Sequence, residues 1–308
     1  MTVRRRIERL DALELADARA VRTLVAAAGA FDGHPPLNEH ALLHLRHPEA
    51  GASKHLLART ADGLAGYLHL DVSKGGPVQA EAVVAPPCRR QGWGRALVIS
   101  ALELTAPRPV QLWSHGDDPA AARLAESLDF VRVRELWQLR RNLAVELPTL
   151  QGVSGVHVRA FRPGADETAW LALNARAFHS HPEQGQMTRH DLDQRMSEPW
   201  FDPEGFFVAE RSGELVGFHW TKIHGDTTVD GEHGHLVMGE VYVVGVDPAA
   251  QGGGLGRLLT LTGLHYLRDR GLSCVLLYVE ADNAPAIAVY QRLGFGHVAT
   301  DALYRLDR

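Results

Sequence analysis

Val246-Asp-Pro-Ala-Ala-Gln-Gly-Gly-Gly-Leu-Gly-Arg-Leu-Leu259 is the stretch that decides the fold, because the chain contains an earlier version of it. Val84-Ala-Pro-Pro-Cys-Arg-Arg-Gln-Gly-Trp-Gly-Arg-Ala-Leu97 lies 162 residues upstream. Pro86 matches Pro248, Gly92 matches Gly254, Gly94 matches Gly256 and Arg95 matches Arg257. A second block follows each copy in the same order: Leu128-Asp-Phe130 and Leu293-Gly-Phe295, 165 residues apart. Two blocks recurring together with a similar gap indicate a duplicated unit. The stretch Glu146–Gly155 carries Pro, Gly and Ser, as linkers do. The expected domains are therefore 1–148 and 155–308.

Around the quoted stretch the pattern alternates between strand and helix. Glu240–Val246 is β-rich and reads as a central strand. Leu255–Arg270 reads as a helix closed by Gly271, Ser273–Val279 as an apolar strand, Asn283–Leu293 as a helix and Phe295–Leu306 as a final strand. Upstream, Asp166–Phe178 is an amphipathic helix, and Arg211-Ser-Gly-Glu214 joins two strands as a hairpin. The first copy follows suit: a hairpin around Ala61-Asp-Gly63, strand Gln79–Val84, helix Trp93–Leu104, strand Val110–Ser114, helix Pro119–Leu128 and strand Val131–Leu139. The fold class is α/β, more closely an α+β mixed sheet with helices packed on it, built twice.

Composition narrows the function classes. The 308 residues are 45% hydrophobic and 22% charged, an ordinary globular balance, and suit about two domains. A net charge of −5 disfavours a general nucleic-acid binder. Two cysteines, Cys88 and Cys274, make no disulfide framework and suit a reducing compartment. No run approaches the ~20 apolar residues of a membrane helix. Met1–Arg6 is basic, but no secretory segment follows, and Asp11, Glu14 and Asp17 argue against a transit peptide. The expectation is a cytoplasmic protein without a membrane partner.

The loop Gln251-Gly-Gly-Gly-Leu-Gly-Arg257 joins a strand to a helix. Glycine permits a sharp turn and close approach to a ligand. The first N–H groups of the following helix have no partners within it, and with the helix dipole they form an anion site, usually for phosphate. Arg257 adds positive charge. No Gly-Lys-Ser/Thr follows, and a GxGxxG count from Gly252 ends on Arg257, so neither a P-loop nor a dinucleotide fingerprint is present.

Gln251-x-x-Gly254-x-Gly256 and Arg89-x-x-Gly92-x-Gly94 resemble the acetyl-coenzyme A pyrophosphate loop of the GCN5-related N-acetyltransferases (GNAT). Asn283-Ala-Pro-Ala-Ile-Ala-Val-Tyr290-Gln-Arg-Leu-Gly-Phe295 resembles that family's other hallmark. The resemblance implies a sheet whose central strands splay to admit the pantetheine arm. Two such domains in one chain, with Leu276-Leu-Tyr-Val-Glu-Ala-Asp-Asn283, are similar to the mycothiol synthase branch, and the second half matches more closely. That branch acetylates the cysteinyl amine of cysteinyl-glucosaminyl-inositol with acetyl-CoA, completing mycothiol.

Carried onto this chain, the resemblance places acetyl-CoA pyrophosphate at Gln251, Gly252, Gly253, Gly254, Leu255, Gly256 and Arg257. Val244, Gly245 and Val246 hold the pantetheine amides, and Asn283, Ala284, Pro285, Ala286, Ile287 and Ala288 line the far end. The first copy offers Val83, Val84, Ala85, Gln91, Gly92, Trp93, Gly94, Arg95 and Ala96. An α-amine with a pKa of about 7.7–8.0 must lose its proton before it attacks, so a base helps at neutral pH. Glu240, six residues before Val246, is the candidate base, directly or through water. Tyr290 occupies the position of the family's usual tyrosine and can donate a proton to the departing thiolate. Glu39, Glu183, Lys222, Glu240 and Tyr278 are the candidate substrate contacts.

The copies differ at these positions. An offset of 165 takes Tyr290 to Ala125, and an offset of 162 takes Glu240 to Val78, with Glu81 nearby. The first unit is expected to bind acetyl-CoA without catalysing. Other histidines and arginines receive plain readings. His224, His233 and His235 lie in a polar hairpin without metal-ligand spacing, so no metal is expected. His40, His44 and His47 read as an exposed helix face, and Arg132, Arg134, Arg140 and Arg141 as a solvated strand edge. A monomer acting on a small-molecule amine is the expectation. The alternatives are a tandem acetyltransferase of another amine and a non-catalytic acyl-CoA sensor.

Overall fold

A computed structural model of the chain describes residues 6–46, 53–72, 75–179, 181, 184–228 and 235–307. The first half runs β1 (Ile7–Leu10), α1 (Leu15–Asp32), α2 (Glu39–Arg46), β2 (Ser53–Thr60), β3 (Gly63–Asp71), β4 (Val78–Val84), α3 (Trp93–Thr105), β5 (Val110–Ser114), α4 (Pro119–Glu126) and β6 (Val131–Asn142). The second runs β7 (His157–Ala160), α5 (Glu167–Ala177), α6 (Arg189–Met196), β8 (Phe206–Arg211), β9 (Glu214–Thr228), β10 (His235–Val246), α7 (Leu255–Asp269), β11 (Cys274–Glu280), α8 (Ala284–Arg292) and β12 (Gly296–Leu306).

Two compact units emerge. Unit 1 comprises Met1–Trp137, Glu280–Asp282 and Ala299–Arg308; unit 2 comprises Gln138–Val279 and Asn283–Val298. In unit 1 the strand order is β1-β2-β3-β4-β5-β12; in unit 2, β7-β8-β9-β10-β11 is followed by the end of β6. The repeat in the sequence divides near residue 150, but the end of the strand after each repeat's last helix belongs to the other unit. The end of β12 shows this directly, with Leu303 opposite Trp113 and Tyr304 opposite Leu112 in unit 1.

The decisive feature is the same in both units. β4 and β5 are parallel, and they pair only at Val78–Val110, Gln79–Gln111 and Ala80–Leu112. β10 and β11 pair only at Gly239–Val275, Glu240–Leu276 and Val241–Leu277. Beyond these three rungs each pair parts, and a wedge opens between neighbouring strands.

Helix ends follow glycine chemistry. Gly271, at φ 86°, ends α7 in the left-handed region, and Leu272 N–H reaches back to Leu267 O at 3.2 Å. Gly294, at φ 83°, ends α8, and Phe295 N–H reaches Tyr290 O at 3.0 Å. The same bond, from Phe130 N–H to Ala125 O at 3.0 Å, closes α4, with Asp129 in the left-handed position. This match fixes Ala125 as the counterpart of Tyr290.

The cores are separate. In unit 1, Leu56, Leu68, Leu70, Leu97 and Val110 pack beneath α3, while Val21, Leu24, Leu57 and Tyr67 pack beneath α1. In unit 2, Phe206 stacks between Phe161 and Trp220 at 4.3 and 4.5 Å, with Trp170 edge-on.

Two expectations need correction. His44 is buried rather than exposed: its Nδ1 lies 2.7 Å from Ser53 Oγ, which lies 3.0 Å from His69 Nε2. The polar inward residues of β2 and β3 give α2's histidines partners, and His40 meets Asp71 at 2.9 Å. His47 lies outside the described residues. Nor is the arginine edge simply solvated. Arg141 is buried and caps the carbonyls of Leu293, Val145 and Glu146, and Arg134 pairs with Glu280. Arg132, paired with Asp117 and Glu135, keeps the expected surface character.

Candidate active site

The site in unit 2 begins where β10 and β11 part. Glu240 stands on the second of the three parallel rungs, opposite Lys222 of β9, and is 7% exposed. A buried carboxylate needs a donor, and His224 supplies it: Nε2 lies 2.6 Å from Glu240 Oε2. Lys222 lies over the rings of Trp200 and Tyr242, 4.5 and 5.1 Å from their centroids, a cation–π arrangement. Arg195 donates to Tyr242 Oη at 2.9 Å.

After Val241 the β9–β10 register skips Tyr242, a β-bulge. Val243–Val246 pair with β9 on one side. Their other edge has no strand partner among the described residues, so its peptide groups are available to a ligand's amides. The bulge also corrects the comparison of the two copies. Below it the offset drops to 161, so the counterpart of Glu240 is Gln79, not Val78. Gln79 bonds to Gln111 and carries no base.

The loop leaves β10 through Asp247, which accepts from Ala249 N–H at 2.9 Å and Arg176 Nε at 2.7 Å. Gly252 and Gly254 adopt φ values of 97° and 82°. A Cβ at either would meet nothing within 4 Å, so it is backbone conformation, not crowding, that calls for glycine. Gly254 caps α7, leaving the N–H groups of Leu255, Gly256 and Arg257 at an open helix end. Asn283 caps α8 by accepting from Ala286 N–H at 3.2 Å, with Pro285 in the first turn. Tyr290, on α8, is 8% exposed, lies edge-on to Phe295, and burial pushes its phenol up to about 12. Tyr278 is 39% exposed and accepts from Gln138 at 3.0 Å.

Unit 1 has the wedge and the loop. Its cleft, about 630 Å³, is lined by Val83, Val84, Gly92, Trp93, Gly94 and Arg95 among others. Ala85, Gln91 and Ala96 stand beside the lining without forming it. Arg89 makes a bidentate pair with Asp32 at 2.6 and 2.7 Å, which anchors the loop. Glu39 opens α2 in unit 1, whereas Glu183 and His233 lie outside the described residues. Sequence reasoning missed the pairing of His224 with Glu240 and the aromatic partners of Lys222. The alternation of β9 held a signal for both, since Lys222 and His224 share one face.

The chain is similar to known proteins throughout its length. The Acetyltransferase (GNAT) family model matches residues 170–295. A mycothiol acetyltransferase from Acidothermus cellulolyticus is 52% identical, covering 92% of this chain and 89% of its own. One from Salinispora tropica is 51% identical over 98% and 96%. The chain belongs to the mycothiol acetyltransferase family. Among solved structures, a tandem GNAT protein from the clavulanic acid biosynthesis pathway superposes with a TM-score of 0.73 at 20% identity, covering 98% of both chains. A GCN5-related N-acetyltransferase from Sphaerobacter thermophilus gives 0.69 at 25% identity, covering 98% and 95%. The fold of the mycothiol acetyltransferase family is thus a tandem GNAT arrangement, and the chain is an N-acetyltransferase. Among the described residues no helix is long and apolar enough to cross a membrane.

Proposed function

We propose that unit 2 transfers the acetyl group of acetyl-CoA to the cysteinyl amine of cysteinyl-glucosaminyl-inositol, the last step of mycothiol biosynthesis. The observation that carries the assignment of roles is the position of Glu240, a buried carboxylate one rung before the strands part. The unpaired edge of β10, the left-handed glycines and the open end of α7 fit the pantetheine and pyrophosphate of acetyl-CoA. Residues Val244–Val246 and Gln251–Arg257 would hold it, with Asn283–Ala288 at its far end.

Acetyl-CoA supplies an activated thioester carbonyl. Glu240 takes the proton from the substrate ammonium, directly or through a water, leaving a lone pair on nitrogen. As the N–C bond forms and the C–S bond breaks, Tyr290 gives its phenolic proton to the sulfur, the nitrogen releases its second proton to solvent, and the phenolate regains a proton from solvent. Burial keeps that phenol protonated at neutral pH, so it is ready as a donor. Lys222, Tyr278, Glu39 and Glu183 are proposed to contact the hydroxyl-rich substrate. Unit 1 is proposed to bind acetyl-CoA without transfer, since Ala125 and Gln79 replace the acid and the base. The same reading has the protein working in the cytoplasm as a monomer.

The test is turnover: release of free CoA with cysteinyl-glucosaminyl-inositol and with a panel of other small amines. Preference for another amine would replace the substrate and keep the chemistry. No CoA release with any amine would leave only the acyl-CoA sensor.

A further inference from the structure

Unit 1 contains a buried charged chain that the proposed reaction does not use. Glu81 is 2% exposed. Its Oε2 lies 2.9 Å from His115 Nε2, and its Oε1 accepts from Asn38 Nδ2 at 2.5 Å. The other nitrogen of His115, Nδ1, lies 3.0 Å from Asp301 Oδ2, and Asp301 Oδ1 accepts from Gly116 N–H at 2.9 Å. Burial alone would lower the pKa of His115, but the charge of Glu81 and the hydrogen bonds that the imidazole donates to both carboxylates outweigh it and raise it to about 10.

The location of this chain gives it a meaning. Glu81 is the first residue of β4 beyond the last parallel rung at Ala80–Leu112, and His115 follows directly on β5. Their bond therefore spans the wedge between the parting strands. His115 also lines the cleft, together with Ala82, Val83, Trp113 and Ser114, so the bridge reaches the cleft wall through its imidazole. The second repeat has nothing equivalent. Val243 takes the place of Glu81, and Glu280, at the place of His115, pairs with Arg134 instead. Opening the bridge would leave charges unpaired in a buried place, which favours the closed wedge.

We infer that the Glu81–His115–Asp301 bridge closes the wedge of unit 1, so that its cleft takes CoA and short acyl-CoA thioesters but excludes long acyl chains. This rests on the reading that the unit 1 cleft binds CoA. The bridge occupies the space into which an acyl chain would extend beyond the sulfur. Unit 1 is then a closed-ended CoA site, and it cannot present a thioester to an amine arriving through the wedge.

The test is calorimetric titration of the full chain carrying Gly254→Val, which strains the unit 2 loop so that the remaining binding reports unit 1. CoA and acetyl-CoA bind alike, and octanoyl-CoA binds at least ~10-fold more weakly, the scale on which a pocket rejects an oversized group. The double variant Glu81→Ala/His115→Ala, added to Gly254→Val, restores octanoyl-CoA binding. Equal binding of CoA and octanoyl-CoA before the bridge is removed overturns the inference, and that comparison needs no bridge variant to fold. Absence of CoA binding altogether overturns the reading of the cleft itself, and the inference with it.

Discussion

His224 Nε2 and Glu240 Oε2 are 2.6 Å apart, and the imidazole is the more exposed partner, at 26% against 9% for the carboxylate side chain. An N–H donor held on one carboxylate oxygen fixes the orientation of the carboxylate and leaves its other oxygen for a proton. Glu240→Gln keeps the shape and removes the basicity. It should lower kcat ~10²–10⁴-fold, the usual weight of a positioned general base, with the KM for acetyl-CoA little changed. His224→Phe removes the donor and should lower kcat by a smaller factor, about tenfold, the cost of a lost hydrogen bond to a charged group. Steady-state kinetics decide both, and wild-type turnover in Glu240→Gln would end the assignment of the base.

Tyr290 differs from an exposed tyrosine in one respect that can be measured. Burial raises its phenol to about 12, so the proton is retained to higher pH than the usual value near 10 would allow. Activity should therefore show no loss between pH 8 and pH 10 from ionisation of this group. Tyr290→Phe, which keeps the contact with Phe295, should lower kcat ~10²-fold. A pH–rate profile unchanged in the variant, with kcat unchanged as well, would remove the tyrosine from the chemistry.

Much of this architecture was legible because glycine and strand–helix alternation leave marks in the sequence. The loop at Gln251–Arg257, the ends of α7 and α8, and the duplication were all visible there. The bulge at Tyr242 was not, because an apolar run such as Val241–Val244 gives no alternation to break. That single inserted residue moved the counterpart of Glu240 from Val78 to Gln79. The destinations of β6 and β12 were equally hidden, since strand neighbours depend on packing rather than on local pattern. His44 and Arg141 misled for a related reason: a polar residue looks exposed until its buried partners, Ser53 and Leu293 O, are known.

The loops of the two units can be uncoupled. Gly92 caps α3 at φ 86°, where a β-branched residue is strained. Gly92→Val should abolish CoA binding at unit 1 while turnover stays within about threefold of wild type, as expected for separate sites. Gly254→Val should do the reverse and abolish turnover. Loss of turnover in Gly92→Val alone, with the chain still folded by circular dichroism, would assign unit 1 a part in the reaction.

The buried histidines of unit 1 make its stability fall in acid. Burial, and then the neighbouring His44, lower His55 to about 4, and the same causes lead in lowering His69 to about 3. In the unfolded chain both sit near 6.5, so below that pH the unfolded state binds protons that the folded state refuses. Stability therefore falls as pH drops from about 6.5 toward 4, with a slope of up to ~1.4 kcal/mol per pH unit for each histidine. The effect fades as the folded-state values are passed, and it is absent above 7. His69→Gln preserves a side-chain partner for Ser53 Oγ and removes one titrating group, so it should flatten the slope of stability against pH. Urea unfolding at pH 7.5, 6, 5 and 4.5 measures both chains. An equal slope in the variant and the wild type would assign the acid sensitivity to other groups.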